Sequence, residues 1–406
     1  RFMAASGPPI PVAEFDVRIL ILNWRDPEHP QAGGAEGYLH AVARRWAMAG
    51  HRVCWLAGAA PGLAAGRRLD GVDIVRRGRS YGVFPAAATH YLSHLRGRVD
   101  VIVDSENGIP FFSPLYSRVP KIVLVHHVHQ EVFRRELPVG ASHLAAWLEA
   151  SAMPWAYRRD AFVAVSPSTR QDLADLGVPA EQIAIIHNGL DADLFHPPDR
   201  SDAAEGQRTR PPTVLWIGRL RRYKCVETVI DAASLWAQSH PTLQLLIAGD
   251  GPSRPELEER VRGHRLGDRV SFLGFVDDRR KVKLLQDADL VVQTSMKEGW
   301  GMTVIEANAC GTPVVASRVA GLKDSVRDGE TGQLVPWNDA SALADAVTAL
   351  IDDGDRRQRY AAAGLRWARS FSWARSADRW LDLIHADRPG GIVPAAMRDA
   401  APPPGG

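Results

Sequence analysis

The chain carries two successive series of short, unbroken apolar runs, each run followed by a longer segment of helical character. The first series holds "VRILILNW" (17–24), "RVCWLAG" (52–58), "VDVIVDS" (99–105), "KIVLVHH" (121–127) and "AFVAVSP" (161–167). The second holds "TVLWIG" (213–218), "LQLLIAGDG" (243–251), "VSFLGFV" (270–276), "DLVVQTS" (289–295) and "TPVVAS" (312–317). A run that is apolar throughout, rather than alternating, is buried on both faces, as in a parallel sheet covered by helices. The expected fold class is therefore α/β. At 406 residues the chain is expected to form two doubly wound domains rather than one core.

Between the two series, "FHPPDRSDAAEGQRTRPP" (195–212) is polar and proline-rich, a composition that suits a linker. The reading sets a first domain over 1–196, a linker over 197–211 and a second domain over 212–370. A last helical segment follows over 371–387, and the tail over 388–406 is expected to be disordered. Two such domains enclose a cleft, and open α/β sheets take ligands outside the carboxyl ends of their strands.

Charge narrows what that cleft holds. Forty-nine lysines and arginines against 47 acidic residues give a net charge of +2, so there is no bulk electrostatic case for nucleic acid or a membrane surface. An anionic ligand must be held by local groups. Cys54, Cys225 and Cys310 form no CxxC pair, which argues against a disulfide framework or a structural zinc site and points to a reducing, cytoplasmic setting. No apolar stretch reaches the roughly 18–20 residues that span a bilayer, and no signal-peptide core is visible.

The strand ends carry the informative motifs. Gly33 and Gly34, after the first strand, let backbone amides approach an anion where a loop enters a helix. Neither GxGxxG nor GxxxxGK[ST] occurs, which weakens dinucleotide and NTPase readings. In "WIGRLRRYKCVETVI", Arg219 and Lys224 follow a strand and together suit a diphosphate without a metal. In "KEGWGMTVIEANACGTPVV" (297–315), the first amides of a helix, at Gly301, Met302, Thr303 and Val304, are candidate phosphate donors. Glu298 and Glu306 would repel a phosphate, so they are expected to face a neutral group rich in hydroxyls. A nucleotide sugar offers both parts.

The last stretch resembles the E-x7-E element of retaining glycosyltransferase family 4. The ordered blocks "GGAEGYLHAVARRWAMAGHRV", "VAVSPSTRQDL", "IIHNGLDADLFHP", "IGRLRRYK", "IAGDGPSRPELEERV", "VSFLGFV", "ADLVVQTSMKEGWGMTVIEANACGTPVVAS" and "GETGQLV" extend that resemblance over almost the whole chain. It implies a GT-B fold: two Rossmann-like domains facing a cleft, with the acceptor held by the N-terminal domain and the nucleotide sugar by the C-terminal one. The last helix would cross back to the N-terminal domain. Carried over by position, Arg219, Lys224 and the amides near Gly33, Gly34 and Gly301 to Val304 would bind the diphosphate. Glu298 would hold sugar hydroxyls at the reacting carbon, Glu306 the ribose, and the backbone of Gly274, Phe275 and Val276 would face the base.

The family also places a histidine after an N-domain strand beside the transferring sugar. Of His126, His127 and His129, His126 matches best, although His127 stands where an acidic neighbour is more usual. The implied activity is metal-independent transfer from a UDP- or GDP-sugar to a hydroxyl acceptor (a glycan, a lipid-linked molecule or a natural product), with retention by a front-face route. No cofactor is implied, since the donor is a co-substrate. "DAD" at 191–193 and 287–289 falls in a turn and at a helix end, so a D-x-D metal site is not expected. A nucleotide-sugar epimerase or hydrolase, or a non-catalytic sensor, shares this architecture and stays open. Phe133, Trp147, Trp155 and Tyr157, interleaved with arginines, are compatible with an acceptor-binding element or with peripheral contact at the inner face of a membrane.

Overall fold

The computed structural model describes residues 16–198, 210–386 and 391–398. The first sheet contains β1 (Arg18–Leu22), β2 (Arg52–Ala57), β3 (Gly66–Leu69), β4 (Val72–Arg76), β5 (Val101–Glu106), β6 (Lys121–Val125), β7 (Ala161–Ala164) and β8 (Ile183–Ile185), in the spatial order 3-4-2-1-5-6-7-8. The second contains β9 (Thr213–Ile217), β10 (Gln244–Ala248), β11 (Val270–Gly274), β12 (Leu290–Gln293), β13 (Val314–Ser317) and β14 (Gly332–Val335), in the order 11-10-9-12-13-14. Only β3 and β4 pair antiparallel among these strands. Every residue of β5, β6 and β7 is buried, as unbroken apolar runs between two helical layers require.

Each of the ten apolar runs contains a strand. The strands with no counterpart among those runs are β3, β4, β8 and β14. β3 and β4 form a hairpin closed by Asp70 and Gly71, both at positive φ (48° and 85°), which is the type I′ geometry favoured by Asp-Gly. That dipeptide was a readable signal. The expected linker over 197–211 lies almost wholly outside the described residues.

In each sheet the strand order reverses beside the first strand, between β1 and β5 in one and between β9 and β12 in the other. Loops diverge at such points and leave a crevice. Both crevices open into the space between the domains.

The helix Trp373–His385 fixes how the domains face each other. It starts at Ser372, whose hydroxyl accepts the Arg375 amide, and lies along the helix Gly34–Met48 of the N-terminal domain. Trp46 and Trp380 meet edge to face with ring centroids 5.8 Å apart, and both are fully buried. Trp380 Nε1 donates to the Tyr38 hydroxyl at 2.7 Å, and Trp46 Nε1 donates to the Ala377 carbonyl at 3.3 Å. Gly189 lets the chains touch: a Cβ there would lie 2.2 Å from the Trp373 amide nitrogen.

The tail departs from expectation. Residues 391–398, inside the stretch expected to be disordered, pack on the N-terminal domain. Val393 is fully buried, and its amide donates to the Glu181 carbonyl at 2.8 Å. Val393 and Met397, buried in the main core within a glycine- and proline-rich segment, hold it there, while Ile392 stays exposed. Residues 387–390 and 399–406 lie outside the described residues. No helix among the described residues is long and apolar enough to cross a membrane.

Replacing Trp380 by Ala should remove about 3–5 kcal/mol of stability, since it empties a buried aromatic site and deletes a hydrogen bond. Urea unfolding of the variant against the wild type checks this.

Candidate active site in the interdomain cleft

The turn between β12 and the helix Met302–Ala309 is shaped by close contacts that exclude side chains. A Cβ on Gly299 would lie 2.4 Å from the His126 carbonyl oxygen of the other domain. Gly301 sits at φ +84°, and a Cβ there would meet Ser325 Oγ at 2.8 Å. Between them Trp300 is buried against the His187 ring at 4.4 Å and Phe371 at 5.0 Å. The Gly-Trp-Gly order thus pins the turn from both sides. It also carries the backbone of the C-terminal domain onto the His126 loop.

A cavity of about 1270 Å³ opens between the domains at this point. That exceeds the roughly 300–1,000 Å³ of a site for one small ligand and leaves room for two. Gly33, Gly34, His126, Arg219, Lys224, Glu298, Gly301, Met302, Thr303 and Glu306 all contribute to its walls. Residues far apart in sequence therefore share one chamber.

Its charges are mutually paired. Lys224 Nζ contacts Glu298 Oε1, which also accepts from Ser295 Oγ at 2.6 Å. Burial works against the Lys224 charge, but the adjacent Glu298 carboxylate and Tyr223 hold its pKa above the usual lysine value. Glu306 pairs with Lys281 Nζ at 2.5 Å, with the ammonium off the hydrogen-bonding axis. Arg219 reaches across the cleft to donate to the carbonyls of Gln31 (2.8 Å) and Ala32. That contact brings it against Gly33, where a Cβ would lie 2.9 Å from its Nη2.

Three expectations need correction. The Gly33 amide is not free, because it donates to Glu36 Oε2 at 2.7 Å, leaving Gly34 as the open amide of that pair. The Val304 amide donates to the Gly301 carbonyl at 2.9 Å, and its side chain is core, so the helix start offers Met302 and Thr303 instead. Gly274, Phe275 and Val276 do not line the cavity. Phe275 is 82% exposed beyond the end of β11.

His126 is buried in the wall opposite the turn, edge-on to Tyr38 at 5.4 Å, with no hydrogen-bond partner at Nε2. Burial, aided by the nearby His129, pushes its pKa down to about 3. It is therefore a neutral imidazole at physiological pH, with one polar atom unsatisfied beside the cavity. His127 is likewise driven well below the usual histidine value, chiefly by burial.

Two cavity residues escaped the sequence. Glu36 stands three positions after Gly33, a helix-capping spacing that could have revealed it. Lys281 lies on the helix Asp278–Asp287, and nothing local ties it to Glu306.

The native state keeps His126 neutral while the unfolded chain protonates it near pH 6.5. The stability this group contributes is thus complete above pH 6.5 and is lost as pH falls toward 3. Between pH 6.5 and 5 the loss should be about 2 kcal/mol. His126→Gln should flatten that limb, as read by urea unfolding at a series of pH values.

Residues 32–194 match the family model Glycosyltransferase Family 4, and residues 199–367 match Glycosyl transferases group 1. A glycogen synthase of Mycobacterium tuberculosis is 35% identical over 222 residues, 54% of this chain and 52% of that protein. A D-inositol 3-phosphate glycosyltransferase of Pseudarthrobacter chlorophenolicus is 30% identical over 342 residues, 80% of this chain and 77% of that one. The chain thus spans about half the length of the first relative and most of the second. Among solved structures, HepE of Anabaena in complex with UDP and glucose superposes with a TM-score of 0.73 at 20% identity, covering 91% of this chain and all of that one. With both halves matched in order, and a relative at 30% identity covered over 77% of its length, the chain belongs to the family 4 glycosyltransferases of the two-domain GT-B fold.

Proposed function

We propose that this protein transfers a sugar from a nucleoside diphosphate sugar to a hydroxyl acceptor, with retention of the anomeric configuration and no metal at the diphosphate. One observation carries the reading. Lys224, Arg219 and the free amides at the start of the helix Met302–Ala309 share a cavity with two carboxylates, and the neutral His126 stands across from them. The cations and amides suit the diphosphate, and the carboxylates suit sugar and ribose hydroxyls.

The internal pairing explains how such a site stays charged while empty. Glu298 holds Lys224 in place until a phosphate takes over part of its charge, which frees the carboxylate to accept from sugar hydroxyls. Glu306 with Lys281 would receive the ribose in the same way. A UDP-sugar is the preferred donor because HepE, of similar fold, binds UDP; a GDP-sugar is the rival. In the front-face route the departing phosphate oxygen takes the acceptor's proton, so no separate base is needed and Glu298 forms no bond to the sugar. His126 would donate through one ring nitrogen to a sugar hydroxyl.

Two observations bear on the setting. All three cysteines are free thiols, which suits a reducing cytoplasm. Val139, Leu144, Trp147 and Trp155 expose apolar surface on the N-terminal domain and would supply peripheral contact with a membrane. Sedimentation with anionic vesicles tests that contact. Loss of vesicle binding in Trp147→Ser/Trp155→Ser is the expected result.

Lys224→Ala should weaken UDP binding about 10- to 100-fold, the scale of a lost charge-assisted bond. Glu298→Gln should leave UDP affinity at or above that of the wild type, since no carboxylate then competes for Lys224, and lower kcat on the order of 100-fold. UDP affinity measured by calorimetry should be the same in chelator and in magnesium. A Glu298→Gln enzyme with normal turnover, or UDP binding that requires magnesium, would refute the assignment. Proton NMR of the product reads the anomeric outcome.

A further inference from the structure

Behind the N-domain wall of the cleft lies a buried carboxylate with almost nothing to compensate it. Glu106, the last residue of β5, is fully buried, and neither oxygen meets a hydrogen-bond donor in bonding geometry. The Gly108 amide gives partial relief only. Facing it is Glu149, equally buried, on the single π-helical turn Leu148–Ala152. His129, from the loop after β6, completes the group and also lines the cavity.

His129 Nδ1 is 3.1 Å from Glu149 Oε1 and 4.0 Å from Glu106 Oε2, and one ligand atom from each residue lies within 4.8 Å of the others. Among the described residues, no lysine or arginine forms an ion pair with either carboxylate. Two carboxylates in a dry site need a compensating positive charge or a proton. A proton, whether shared with Glu149 or held by Glu106 alone, would need an acceptor for the resulting hydroxyl, and neither Glu106 oxygen has a hydrogen-bond partner. We propose that Glu106, His129 and Glu149 hold a divalent first-row transition cation of the zinc or manganese kind.

The spacing fits that occupant. Ligand atoms about 2.0–2.3 Å from one ion stand roughly 3–4.5 Å apart; the 3.1 and 4.0 Å separations here fall in that range, and a cation would replace the hydrogen bond that now joins His129 Nδ1 to Glu149 Oε1. One imidazole with two carboxylates suits zinc or manganese better than magnesium, which prefers oxygen alone and keeps its waters. The surroundings also orient the ligands, as metal sites require. Glu149 Oε1 accepts the His129 amide at 2.6 Å, and Oε2 accepts Gln130 Nε2 at 2.7 Å, itself tied to the Ala146 carbonyl at 3.0 Å. Single π-turns recur at functional sites, and this one is what carries Glu149.

Coordination at Nδ1 would leave the His129 proton on Nε2 and tie three segments of the acceptor-side wall together: the end of β5, the histidine loop and the π-turn. The three ligands all belong to the N-terminal domain. The site does not depend on the proposed donor chemistry. No D-x-D or cysteine cluster marks this site in the sequence, since its three ligands are widely separated in the chain.

The test is metal content and thermal stability of the full chain. Purified protein should carry about one equivalent of metal by mass spectrometry. After stripping with chelator, Zn²⁺ or Mn²⁺ alone should raise Tm by about 5 °C or more at saturation, with Mg²⁺ giving less. Glu106→Gln and Glu149→Gln should each lose that rise while keeping the rise produced by UDP in the same assay. A stripped wild type that does not respond to Zn²⁺ or Mn²⁺ overturns the proposal, and so do variants that still respond. A missing UDP response would count against the donor reading instead, so the two failures are distinguishable.

Discussion

Among the contacts that join the domains, the most deeply buried is the Trp380 ring set against Trp46, with its indole nitrogen bonded to Tyr38. Two domains joined only by a polar segment would be free to open, because interfaces of that kind give no preferred angle. The last helix removes the freedom by burying its aromatic face on the opposite domain. That leaves the Gly299 backbone against the His126 carbonyl, with no space for a side chain between them. Every residue assigned to the site is positioned relative to that contact.

Within the cleft, charge is balanced by proximity rather than by excess. The chain as a whole is nearly neutral, yet lysines and glutamates occupy one chamber in alternating pairs. A phosphate entering this chamber does not meet a bare positive patch. Under the proposed function it would compete with Glu298 for Lys224, so that its binding would also release the carboxylate. The neutral His126 complements this arrangement, since an imidazolium there would have to be desolvated beside the other histidines.

Much of the fold was legible because burial on both faces writes itself as continuous apolar runs, and each of the ten marked runs holds a strand. Gly301 is also readable as a helix start because glycine adopts the left-handed conformation without strain, whereas the 2.8 Å clash a Cβ would make with Ser325 Oγ comes from the tertiary fold. The amides were harder. Gly33 and Val304 look like open donors in sequence, but Glu36 and the Gly301 carbonyl already occupy them. Gly274, Phe275 and Val276 lie outside the cavity wall, with Phe275 exposed beyond the end of β11 and Val276 packed on the core.

By itself the sequence determined two parallel-sheet domains, a cleft between them and the residue types that gather at their strand ends. Those properties follow from local periodicity and from backbone geometry within a few residues, which any reading of the chain can reach. Only the tertiary structure decided which charges compensate which: Glu298 with Lys224, Glu306 with Lys281, and Glu106 with nothing but its neighbours Glu149 and His129. Such pairings join distant segments, and their energies depend on distance and on how much water is excluded, neither of which spacing in a sequence records.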